Sequence, residues 1–173
     1  SGVTVHLNQA QAARMEKPFH ILLEVPESFP EKIEDMVNEI DHDQLVIYGV
    51  RKPPQAWLSL EWAVPGLIVA YLAKPYFEGF LQKMGSDHYE TLKGWLNRLL
   101  QRGRSMKVTV LSSGDKKCNP SDTQSKAISI IIDIKNGQRI KLLFDEELTL
   151  SDWQTGLDKI LQLILNNYHA YPN

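Results

Sequence analysis

Cysteine is almost missing from this sequence, which contains a single one, Cys118, among its 173 residues. One cysteine cannot form an internal disulfide framework, and it cannot build a cysteine-rich zinc site. Such sparing use of cysteine is typical of a reducing compartment, so we expect a cytoplasmic protein. Because 43% of its residues are hydrophobic, a buried core rather than cross-links is expected to stabilise the fold.

The short motifs of common catalytic and cofactor sites are absent as well. The sequence has no G-x-G-x-x-G, Walker A, H-E-x-x-H, C-x-x-C or G-x-S-x-G pattern. The five histidines are dispersed, and no pair has the spacing of metal ligands. They are His6, His20, His42, His88 and His169. We therefore expect no metal ion and no bound cofactor.

The longest apolar stretch, 62–81, carries only two charged residues and is long enough to cross a bilayer. A charge near the centre of a membrane-spanning helix, here Lys74, costs about 2.5 to 3.5 kcal/mol. Pro75 also removes a helix hydrogen bond. The pattern therefore predicts no membrane span but two buried helices, over 65–73 and 75–84, with Lys74 folded inward.

Strand-like and helix-like segments alternate along the rest of the chain. Runs rich in β-branched and aromatic residues predict strands over 19–25, 44–50, 106–111, 128–134 and 139–144. Apolar residues at helical spacing predict helices over 30–40 and 87–103, and a C-terminal helix that begins with a capping box of Ser151 and Gln154. This order predicts an α+β or α/β fold. We expect a single domain with a mixed sheet of about five strands, an antiparallel C-terminal hairpin and helices packed on the sheet.

The register of the C-terminal hairpin follows from matching its apolar faces. A two-residue Asn-Gly loop would place Ile132 opposite a lysine. A three-residue loop that ends at a left-handed Gly137 instead places Ile132 opposite Ile140. The same register pairs Asp133 with Arg139. We therefore predict the three-residue loop.

The chain ends and loops define the expected domain organisation. Residues 1–17 are polar and predict a partly disordered lead-in. Residues 18–173 are expected to form one globular domain. Within it, the polar stretch 112–126 is rich in structure-breaking residues and predicts a mobile loop.

Charge is unevenly distributed, although the net charge is only -2. Residues 1–90 contain 7 basic and 13 acidic side chains, whereas residues 91–173 contain 12 basic and 8 acidic ones. The positive excess in the second half could mark an anionic polymer as partner, but a solvated helix end and loop is the simpler interpretation. The candidate contacts are Arg98, Arg102, Arg104, Lys116 and Lys117.

One polar group within the apolar region is a candidate acid–base site. A buried Lys74 needs an acidic partner, and Glu61 and Glu78 are the nearest along the chain. An acid, a lysine and His88 together could transfer protons in a hydrolase-type reaction. The alternative is that Lys74 belongs only to an ion pair and that His88, near a helix start, is exposed.

Three functions thus follow from the sequence. We expect first a soluble, non-catalytic domain that binds a protein partner or another copy of itself. The second is a small hydrolase-type enzyme that uses Glu61, Lys74 and His88. The third is a nucleic-acid binder that uses the basic region 98–117.

Overall fold

One mixed β-sheet forms the centre of the computed structural model, which describes residues 4–6, 19–52, 68–106 and 124–170. The strands are β1 (Thr4–His6), β2 (Ile21–Pro26), β3 (Ile47–Lys52), β4 (Ile68–Leu72), β5 (Gln124–Asp133) and β6 (Arg139–Asp145). The helices are α1 (Ile33–Asn38), α2 (Gln82–Ser105) and α3 (Leu150–Ala170), and a π-helix (Tyr76–Leu81) runs directly into α2. The predicted α+β fold is confirmed.

The strand order is β1-β3-β2-β4-β5-β6. The directions of the strands determine which strand ends lie at the same edge of the sheet. Strands β1, β2 and β3 are parallel, β4 is antiparallel to β2, and β5 is parallel to β4. The starts of β2 and β3 therefore lie at the same edge as the ends of β4 and β5. We call this the upper edge of the sheet.

All three helices pack on one face of the sheet. The strand registers place Gly49, Ile128 and Phe144 on that face, and each lies against a different helix. The contacting pairs are Gly49 with Ile33 of α1, Ile128 with Gly103 of α2, and Phe144 with Trp153 of α3. Burial of these apolar side chains is the main stabilising contribution.

Residues 68–72 correct the prediction of a helix over 65–73, because they form β4 between β2 and β5. Ile68, Ala70 and Leu72 are fully buried and face the helices, while Val69 and Tyr71 on the other side are half-buried. All five residues of this strand are apolar or aromatic, and the periodicity of such a short apolar run cannot distinguish a strand from a buried helix. Of the remaining predicted helix residues, Ala73 is in neither a helix nor a strand, and 65–67 lie outside the described residues.

The second predicted helix, 75–84, is confirmed, with Pro75 directly before the π-helix. Gly85, the residue directly after the predicted helix, has a left-handed φ of 73° that interrupts the helix, which then resumes to Ser105. Lys74 is not folded inward: its side chain is 48% exposed, because β4 ends at Leu72 and the chain turns at the surface. No described helix is both long and apolar enough to cross a membrane.

Several predicted segments differ in extent from the structure. The described sheet has a sixth strand, β1, which lies within the predicted lead-in. Strand β5 begins at Gln124, so the last three residues of the predicted loop 112–126 are in a strand. The rest of that loop and residues 107–111 of the predicted third strand lie outside the described residues.

The predicted register of the C-terminal hairpin is confirmed. Ile132 pairs with Ile140, Ile130 with Leu142, and Asp133 with Arg139. Gly137 is left-handed, with φ 71°. The preceding Asn136 is left-handed too, with φ 67°, a conformation that asparagine tolerates better than most residues.

The capping box of α3 lies two residues before the predicted one. Thr149 Oγ1 accepts a hydrogen bond from the Asp152 N–H (3.1 Å), and the Asp152 carboxylate accepts one from the Thr149 N–H (3.1 Å). We expect Thr149→Ala to lower the free energy of unfolding in urea by about 1 kcal/mol, because it leaves a helix N–H without its acceptor. Ser151→Ala is the matched control and is expected to change it by less than about 0.5 kcal/mol. Equal losses in both variants would contradict this assignment.

Candidate functional site

Three histidines that are far apart in the sequence meet at the upper edge of the sheet, around the ring of Phe80. The ring centre of Phe80 lies 4.6 Å from that of His88, 5.3 Å from that of His42 and 5.6 Å from that of His20. Tyr76 lies beside them, with its ring centre 5.8 Å from those of Phe80 and His88. We call these five side chains the histidine cluster.

The sheet topology brings the cluster together. His20 directly precedes β2, and its carbonyl accepts a hydrogen bond from the Ala73 N–H just after β4 (2.9 Å). This antiparallel pairing places His20 next to the start of the π-helix, which carries Tyr76 and Phe80. His42 lies in the connection between α1 and β3, and His88 lies three residues after the interruption at Gly85.

Two of the imidazoles accept hydrogen bonds from the same short connection. His20 Nδ1 accepts the Val46 N–H at 2.8 Å, and His42 Nδ1 accepts the Gln44 N–H at 3.3 Å. An imidazole nitrogen can accept only when it carries no proton, so both rings are neutral in this arrangement. Burial also lowers the pKa of His20.

His88 and Tyr76 are the buried polar members of the cluster. His88 is 8% exposed, and Tyr76 is fully buried. His88 Nε2 and the Tyr76 hydroxyl have no hydrogen-bond partner among the described residues. Burial lowers the pKa of His88 to about 4, and burial raises the pKa of Tyr76. No three His, Cys, Asp or Glu side chains of the described residues are grouped as a metal site.

The residues of the predicted acid–base site have different environments. His88 is buried, so its expected exposure is wrong, because its ring packs against the aromatic rings of the π-helix. The Lys74 Nζ lies 3.4 Å from Glu78 Oε1 at the surface, which confirms that pairing. Glu61 lies outside the described residues. The acid–base site therefore stays a prediction.

Two arginines of the predicted anion-binding set form ion pairs between α2 and the acidic residues around α1. Arg102 Nη2 lies 2.7 Å from Glu39 Oε1, and Arg102 Nε lies 3.0 Å from Glu31 Oε2. Arg98 Nε lies 2.9 Å from Glu39 Oε2. Arg104 donates a hydrogen bond to the Glu146 carbonyl (3.1 Å). The uneven charge along the sequence is thus partly compensated within the chain, and the two lysines of the set lie outside the described residues.

A second polar group at the upper edge joins β4, β5 and β6. The Tyr71 hydroxyl donates to Asp133 Oδ2 (2.6 Å), and Arg139 Nε donates to Asp133 Oδ1 (2.9 Å). The Arg139 guanidinium also lies over the Tyr71 ring, 4.7 Å from its centre. Burial and the bond to Asp133 raise the pKa of Tyr71 to about 12. This group holds three strand ends together.

Comparison with known proteins adds no identification. No protein-family model, curated protein or solved structure matches this chain. The candidate site therefore rests on the geometry of the described residues.

The sequence contained only part of the signal for these sites. The pairing of Asp133 with Arg139 follows from the hairpin register, which alternation predicts. Tyr71 was missed because its segment was interpreted as a helix. The meeting of His20 and His42 with His88 depends on the antiparallel pairing of β2 with β4, which no short motif encodes.

Proposed function

We propose that this chain is a non-catalytic, protein-binding domain whose partner contacts apolar side chains in its C-terminal third. The observation that carries this proposal is the exposure of three leucines. Leu143 is 43% exposed, Leu148 is 48% exposed and Leu163 is 68% exposed. In the part of the chain that the structure describes, they are the exposed large hydrophobic residues.

The three leucines lie in consecutive elements. Leu143 is on β6, the last strand in the sheet order, and its register places it on the face opposite the helices. Leu148 follows β6 in the turn before α3, and Leu163 is on α3 itself. Burying apolar surface against a partner is favourable, although the area does not convert directly into affinity because association also costs entropy. Leucines at the surface are therefore able to contribute affinity that polar side chains would not.

The charged candidate residues already form contacts within the chain, which also supports protein binding over the hydrolase and the nucleic-acid binder. Arg98 and Arg102 pair with glutamates of the same chain, and Lys74 pairs with Glu78. His88 Nε2 is enclosed by aromatic rings. A protein partner requires none of these groups to be released.

The proposal is tested by affinity capture from lysate followed by binding measurements with purified proteins. The test variant L143K/L148K/L163K removes the apolar contacts and adds three charges. Its matched control, Q138K/N166K/N167K, adds the same charge at exposed polar positions of β6's turn and α3. Circular dichroism first verifies that both variants are folded.

We expect wild type and control to retain the same partner, and the leucine variant to bind the purified partner at least about tenfold more weakly, a loss of about 1.4 kcal/mol. Self-association of the wild type, measured by sedimentation velocity, would identify a second copy as that partner. Equal affinity of all three proteins would contradict the proposal. So would a monomeric wild type that retains no protein.

A further inference from the structure

The connection between α1 and β3 is held through neutral histidines. We call residues Asp41–Val46 the 41–46 segment. The N–H groups of Val46 and Gln44 donate to the Nδ1 atoms of His20 and His42, at 2.8 and 3.3 Å. A protonated imidazole carries N–H on both nitrogens and accepts no hydrogen bond. Protonation of either ring therefore removes the acceptor of one N–H group of this segment.

The environment of the third histidine, His88, disfavours the protonation of its ring. The ring centre of His88 lies 4.6 Å from that of Phe80 and 6.3 Å from that of His42. A proton on its enclosed Nε2 would create a buried charge without an acceptor among the described residues. A second positive charge on His42 would repel it, and His88 also lies near the start of the resumed helix, where a positive charge is unfavourable.

The other titratable groups around the cluster do not reverse the expected loss of these hydrogen bonds on acidification. The π-helix contributes Tyr76, which is a neutral phenol at neutral and acidic pH. The segment itself contributes Asp41 and Asp43, and Asp43 lies close enough to His42 for their charges to interact. Protonation of His42 beside Asp43 still removes the acceptor of the Gln44 N–H. Lys74, on the turn into the π-helix, pairs with Glu78 of the π-helix itself.

We propose that His20, His42 and His88 form an acid-sensitive latch that holds the 41–46 segment against the π-helix and α2 at neutral pH and releases it on acidification. Release separates this segment from Phe80. It also exposes Leu45, which is buried in the closed state. The latch thus couples proton uptake to the exposure of apolar surface at the upper edge of the sheet.

The sign of the pH effect follows from proton uptake. An exposed histidine takes up its proton near pH 6.5, whereas burial lowers the pKa of His88 in the closed state to about 4. Between these two pKa values, the open form therefore binds more protons than the closed form does. The closed form is fully favoured above about pH 6.5 and loses stability as the pH falls towards 4.

The test is amide hydrogen exchange of the wild-type protein by NMR between these pH values, corrected for the intrinsic exchange rate. We expect protection of the Val46 N–H to fall about tenfold per pH unit for each proton taken up on opening. Protection of the Trp95 N–H in the core of α2 is expected to persist over the same range. Nitrogen chemical shifts of His20 record when its Nδ1 becomes protonated.

The variant H20N/H42N/H88F separates the latch from general acid lability. Asparagine Oδ1 accepts a hydrogen bond without titrating, and phenylalanine keeps the cluster filled. We expect this variant to keep the Val46 N–H protected down to the lower pH, whereas the control H169N behaves as wild type. The latch is refuted if the Val46 N–H of the wild type stays protected after His20 is protonated. It is also refuted if Val46 and Trp95 lose protection together.

Discussion

Replacing Trp95 with alanine is expected to lower the free energy of unfolding by about 3 to 5 kcal/mol. The Trp95 side chain is fully buried and is among the largest in the core. Its Nε1–H donates a 2.8 Å hydrogen bond to the Met36 carbonyl, which joins α2 to α1. The substitution opens a cavity and leaves that buried carbonyl without its donor. Since domains of this size are stable by about 5 to 15 kcal/mol, this is a large fraction of the total.

Urea unfolding followed by circular dichroism measures this loss. Trp95→Phe separates the two contributions, because it fills most of the space but donates no hydrogen bond, and it is expected to cost about 1 to 3 kcal/mol. Leu163→Ala, at a position that is 68% exposed, is the control and is expected to change stability by less than about 0.5 kcal/mol. A Trp95→Ala loss below about 1 kcal/mol would contradict the packing of α2 against α1.

Gly103→Ala is expected to be the second most damaging of these substitutions, at about 2 kcal/mol. A Cβ at position 103 would lie 2.7 Å from Ile128 Cγ2 and 2.9 Å from Ile128 Cβ. The Ile128 Cβ is close to the backbone of β5 and cannot move away freely. Helix α2 therefore has to shift from the sheet. This cost exceeds the gain of about 1 kcal/mol that alanine brings to a helix over glycine.

Gly94→Ala is the matched control in the same helix. There the nearest atom to an added Cβ is Arg98 Nη1, at 3.4 Å, which is the end of a flexible side chain. We expect unchanged stability or a gain of up to about 1 kcal/mol. A double-mutant cycle with Ile128→Ala is expected to give a coupling energy of at least about 0.5 kcal/mol for Gly103→Ala. Additive effects would mean that the two residues are not in contact.

The sequence was most informative where the alternation of apolar side chains determined how two neighbouring strands pair. The hairpin register follows from keeping Ile132 and Ile140 on one face, and the structure has that register. The prediction for residues 68–72 was wrong because all five residues of this strand are apolar or aromatic, so the sequence shows no alternation of polar and apolar residues there. The capping box of α3 was misplaced because Ser151 and Thr149 both precede an acceptor by three residues, and only the backbone geometry distinguishes them.

The histidine cluster was out of reach of sequence reasoning for a different reason. His20 and His88 are separated by β2, α1, β3, β4 and the π-helix, so their meeting depends on the order of strands in the sheet. Local patterns predict elements and some turns. They do not determine which strands pair, because pairing depends on the burial of many faces at once.

The most direct test of the fold on which the latch depends is backbone NMR of residues 68–72. This segment joins the two halves of the sheet and places His20 beside the π-helix. The predicted result is strand-like ¹³Cα and ¹³Cβ shifts, with cross-strand NOEs from Ala70 to Leu23 and to Ile130. Helical shifts with strong sequential amide–amide NOEs, and no contact to either neighbouring strand, would contradict it.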